Sequence, residues 1–109
     1  MELLLRLFAN CDDDAAASEI SRRMELALSR WAPEPFAAPK RYWKDQTQFE
    51  FAYKLSPATE DSLQAILSAS SGGWHQISRD DVVWNRVRDH MLLVPEVSWA
   101  HAELYETNP

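Results

Sequence analysis

Two hydrophobic periods alternate along this chain, and that alternation restricts the fold more than any other feature. Phe49, Phe51, Tyr53 and Leu55 recur at every second position, with Glu50, Ala52 and Lys54 between them. Period two sends the two sets to opposite faces of a strand. From about Ala15 to Trp31 the spacing changes. Ile20, Met24, Ala27, Leu28 and Trp31 fall on one helical stripe, while Glu19, Arg22, Arg23, Glu25 and Arg30 take other positions. A helical bundle needs only the second period and a β-barrel only the first, so both fit poorly.

The other segments follow the same logic. Residues 2–9 read as a strand with Leu3, Leu5 and Leu7 on one face and Leu4, Arg6 and Phe8 on the other. Apolar groups on both faces predict a central strand. Residues 10–14 read as a polar turn in which Asp12, Asp13 or Asp14 caps the first helix. Pro33 and Pro35 stop that helix, and residues 31–39, with three prolines, read as a connection packing through Phe36. Residues 41–44 then form a short strand, residues 45–48 a turn, and residues 49–55 its hairpin partner. Ser56-Pro57 is expected to start a second helix with Leu63, Ile66 and Leu67 inward, ended by Gly72-Gly73. Strands are expected at 74–77 and 82–86, a loop at 87–95 and a last strand at 97–105.

This order predicts one α+β domain over residues 1–109, an antiparallel sheet with two helices on one face. The ferredoxin-like β-α-β-β-α-β arrangement is expected, with extra C-terminal strands. The 46% apolar content suits one folded core of this length.

Composition narrows the function. Cys11 is the only cysteine, so no internal disulfide forms and a reducing, cytoplasmic location is expected. Met1 to Leu7 is apolar but broken by Glu2 and Arg6, unlike a signal peptide. No apolar run approaches the roughly 20 residues of a membrane span. With 11 Lys and Arg against 17 Asp and Glu, the net charge is −6, which disfavours nucleic acid and suits a basic protein partner. The charge is uneven: residues 1–55 carry a net of −1 and residues 56–109 a net of −5.

Candidate chemistry is sparse. Cys11 precedes three aspartates, whose charge raises a thiol pKa and weakens the nucleophile. No CxxC, HxH or HExxH spacing is present, and two adjacent glycines cannot build a phosphate loop, so no metal or cofactor is expected. A His–carboxylate pair such as His101 and Glu103 is the one enzymatic alternative, and it lacks a nucleophile.

The unusual feature is five tryptophans: Trp31, Trp43, Trp74, Trp84 and Trp99. Trp31 sits on the helix stripe and is expected in the core. In the last strand, if Ala100, Ala102 and Leu104 face the helices, then Trp99, His101, Glu103 and Tyr105 project from the other face. Aromatic residues bury large area at low rotamer cost, so this stripe suits protein docking. The expected partner-binding set is Trp84, Trp99, His101, Glu103 and Tyr105, with Asp80 and Asp81 as rim charges.

Asp81-Val82-Val83-Trp84-Asn85-Arg86, followed by Leu93-Val94-Pro95-Glu96-Val97-Ser98-Trp99-Ala100-His101-Ala102-Glu103-Leu104, resembles a pattern of small bacterial proteins, "VWN" then "P-x-V-x-W-A". These resemble immunity proteins encoded beside polymorphic toxins of contact-dependent and type VI secretion systems. The resemblance covers only the C-terminal part of the chain and is not a catalytic fingerprint. It implies a non-enzymatic inhibitor that binds one cognate toxin. The alternative is a small-molecule-sensing regulatory domain of ferredoxin-like fold. A homodimer through a free edge strand stays open in either case.

Overall fold

The computed structural model describes residues 1–69, 74–78, 80–85 and 93–106. Its elements are β1 (Glu2–Asn10), α1 (Asp14–Ala27), β2 (Glu34–Arg41), β3 (Gln48–Leu55), α2 (Glu60–Ala69), β4 (Trp74–Ser78), β5 (Asp81–Asn85) and β6 (Val97–Tyr105). The fold is α+β. Six strands form one sheet in the order β2-β3-β1-β6-β5-β4, with antiparallel neighbours throughout.

The order departs from the expected ferredoxin-like one. That arrangement places the strand after the second helix beside β1. Here β4 lies at the far edge and β6 takes the place beside β1. Length and polarity account for the exchange. β1 has nine residues and apolar groups on both faces, and the nine-residue β6 covers it from Glu2↔Tyr105 to Ala9↔Val97. β4 has five residues, four of them exposed, which suits an edge. The β2-β3-β1 half keeps the expected arrangement, and β1 is central as its two apolar faces predicted.

Three boundaries move. β2 runs through Pro35 and Pro39, where a connection was expected, and the strand expected at 41–44 contributes only Arg41 to it. Proline lacks an N–H to donate and so belongs on a sheet edge, and β2 is an edge strand. α1 begins at Asp14, with the Asp13 carboxylate accepting from the Ala16 N–H at 2.8 Å, and ends in a 3-10 turn at Ser29–Trp31. α2 begins at Glu60, not at Ser56-Pro57. Thr59 Oγ1 accepts the Ser62 N–H at 3.1 Å, while the Ser56 N–H is donated to the Trp31 carbonyl. The expected stop at Gly72-Gly73, Arg86 and most of the 87–95 loop lie outside the described residues.

One cluster of buried side chains forms between sheet and helices. Leu3, Leu5, Leu7, Phe49, Phe51, Tyr53, Leu55, Val82, Trp84, Ala100, Ala102 and Leu104 come from the sheet, and Ile20, Met24, Leu63 and Ile66 from the helices. Both helices therefore cover the same face. A bulge at Ser98 shifts the β1–β6 register from Phe8↔Trp99 to Ala9↔Val97. Without that extra residue Val97 would point away from Ala100; with it, both are fully buried.

Candidate functional site: the helix-free face of the sheet

Register fixes what the other face displays. Phe8 lies between Glu50 on β3 and Trp99 on β6; Arg6 lies between Ala52 and His101; Leu4 lies between Lys54 and Glu103. On β5, Asn85, Val83 and Asp81 stand opposite Trp99, His101 and Glu103. Among the described residues, no helix contributes to this surface.

An aromatic row crosses it. Tyr42, held just past β2 by its N–H to the Gln48 carbonyl, meets Phe8 with ring centroids 4.6 Å apart. Phe8 meets Trp99 at 4.9 Å, and Trp99 stacks on His101 at 6.2 Å with an interplanar angle of 15°. The Arg6 guanidinium lies 5.8 Å from the Phe8 ring. These neighbours bury Phe8, whereas Trp99 keeps 37% of its surface exposed. Trp43 is the most exposed tryptophan, with Lys44 against its ring.

Charge divides the face into two halves. On the β1–β3 half each carboxylate has a cation: Glu50 accepts from Arg6 at 3.0 Å, and Glu2 lies 3.8 Å from Lys54. Strands β4, β5 and β6 contain no Lys or Arg. There, Asp81 and Glu103 stand directly opposite each other, a pairing of like charges that costs stability. His101 Nε2 hydrogen-bonds Asp81 Oδ1. Glu103 makes no ion pair or hydrogen bond with a described residue.

Set against family models, curated proteins and solved structures, the chain matches none. What the site can do is therefore read from its geometry. Trp99, His101, Glu103 and Tyr105 share the open face, as the alternation in β6 predicted, and Asp81 joins them from β5. Asp80 sits off the face, at the sheet end, where its carbonyl accepts the Leu104 N–H and it borders a shallow hollow with Glu60 and Glu106. Trp84 departs from the set. It is fully buried among the core residues, so its indole supports the sheet from the helix side.

Sequence reasoning missed Phe8 and Tyr42, which complete the aromatic row, and the Arg6–Glu50 pair beside it. The signal for Phe8 was present: it shares the β1 face with Leu4 and Arg6, the face that has to adjoin the Trp99 face of β6. The His101–Asp81 contact replaces the suggested His101–Glu103 one. It depends on register between strands, which no periodicity reports.

The Cys11 thiol is raised above its ordinary value, mainly by burial and further by the carboxylates of Asp13 and Asp12. The direction matches the expectation, and burial supplies the larger cause. Among the described residues no group of three His, Cys, Asp or Glu could hold a metal ion, and no helix is long and apolar enough to cross a membrane.

Proposed function

We propose that this chain is a non-enzymatic protein-binding module, an immunity protein that docks a cognate bacterial toxin on the helix-free face. The observation that carries the reading is the composition of that face. Trp99, His101 and Tyr105 lie beside Asp81 and Glu103, on strands without a Lys or an Arg. Exposed aromatic area supplies the binding energy, and the two carboxylates favour a basic partner and steer its approach. A nuclease, which has to attract phosphate, is one such partner. The resemblance of the 81–104 segment to toxin-neutralising proteins supports the same reading. His101 also lacks the nucleophile that a His–Asp pair requires for acyl transfer: among the described residues, its hydrogen-bond partner is Asp81 alone.

The test is co-purification with the product of the neighbouring gene, followed by binding kinetics. Trp99→Ala should weaken the complex by about 2 kcal/mol, roughly 30-fold, with the fold intact. Glu103→Gln should slow association and flatten its salt dependence, leaving dissociation nearly unchanged. If the neighbouring gene encodes no secreted effector, and Trp99→Ala and Glu103→Ala leave every captured partner in place, the reading fails.

A further inference from the structure

The β2 side of the open face contains a hollow of about 240 Å³ lined by Leu4, Arg6, Phe36, Ala37, Lys40 and Ala52, among others. Its origin lies in β2. Between Pro35 and Ala37, and again between Ala37 and Lys40, β2 spends one more residue than β3 does over the same stretch. Two such bulges bend an edge strand away from its neighbour. Ala37, Ala38 and Ala52 then line the gap without filling it.

The lining combines apolar groups (Leu4, Phe36 and the three alanines) with the charges of Arg6, Lys40 and Glu50. Arg6 donates through Nε and Nη2 to one oxygen of Glu50, which leaves Nη1 with its protons uncommitted among these contacts. Lys40 stands opposite Glu50 in the register and makes no ion pair or hydrogen bond with a described residue. Arg6 and Lys40 against Glu50 leave one positive charge in excess, on a chain whose net charge is −6. At about 30 Å³ of liquid volume per water-sized group, the space holds roughly eight non-hydrogen atoms. That is too small for a nucleotide cofactor and suits a short organic acid.

We propose that this hollow binds a small monocarboxylic acid, its apolar chain over Leu4 and the three alanines and its carboxylate between Lys40 and Arg6. The proposal stands apart from the docking of a protein partner and survives the loss of that reading. Its test is a protein-observed NMR titration of the full chain with three probes of similar shape: hexanoate, hexanamide and hexylammonium. Hexanoate should shift resonances of residues 36–40 and 50–54 saturably, with millimolar affinity, and hexanamide should bind about tenfold more weakly. Lys40→Gln should weaken hexanoate several-fold and leave hexanamide unchanged. Ala52→Leu, which fills the hollow from the open face, should abolish both. Equal binding of all three probes, saturable binding of inorganic phosphate alone at the same residues, or no saturable shift with any probe overturns the proposal.

Discussion

At the residue scale, two tryptophans on neighbouring strands play opposite parts. Trp84 is fully buried beneath the sheet, and Trp99 is half exposed above it. Trp84→Ala should cost about 3–5 kcal/mol of stability, measured by urea denaturation, because it opens a large cavity in the core. Trp99→Ala should cost far less stability and act on binding. The difference was legible in part. In β5, Val82 and Trp84 alternate with Asp81 and Val83, so period two alone puts Trp84 on the apolar face. Tyr53 allows a pH test. Its ring is in the core, its hydroxyl lies 2.6 Å from that of Ser21 on α1, and burial raises its pKa. The folded state thus favours the neutral phenol. The stabilisation is complete below the unfolded value of about 10 and is lost as pH rises above it. Denaturation between about pH 9 and 11 should show this loss, and Tyr53→Phe should remove part of it, at a cost of about 1 kcal/mol at neutral pH.

At the scale of elements, helix starts separate what sequence can say from what it cannot. Ser56 and Thr59 are both competent caps, and the chain path decides between them: α2 begins at Glu60, so Thr59 Oγ1 is the group that reaches the Ser62 N–H. Thr59→Ala should therefore destabilise the protein by about 1 kcal/mol, and Ser56→Ala by a few tenths at most, as read from paired thermal melts. β6 was legible to both ends, since nine alternating residues leave little freedom. β2 was not, because Pro35 and Pro39 signal a connection unless the strand is known to lie at an edge. The position of β4 was equally hidden. Five residues of mixed polarity specify a strand but not its neighbour. Contacts across strands, such as His101 with Asp81, exist only once that order is set.

At the scale of the whole molecule, the sheet joins the two ends of the described chain at its centre. β1 is paired with β6, and within the sheet the β5–β4 hairpin is joined to the other strands through β6. β6 also gives Val97, Ala100, Ala102 and Leu104 to the core. A chain ending after Pro95 should consequently lose cooperative unfolding altogether, visible as a broad, featureless melt, where removal of an edge strand would only lower the midpoint. The same arrangement has a consequence for synthesis. β1 emerges from the ribosome before β6, with Leu3, Leu4, Leu5, Leu7 and Phe8 on its two faces. At about 5–20 residues per second, it waits roughly 5–20 s for β6 to follow. During that interval β1 has at least one open edge, and two until β3 is made. The nascent chain should therefore depend on a holding chaperone until β6 is made.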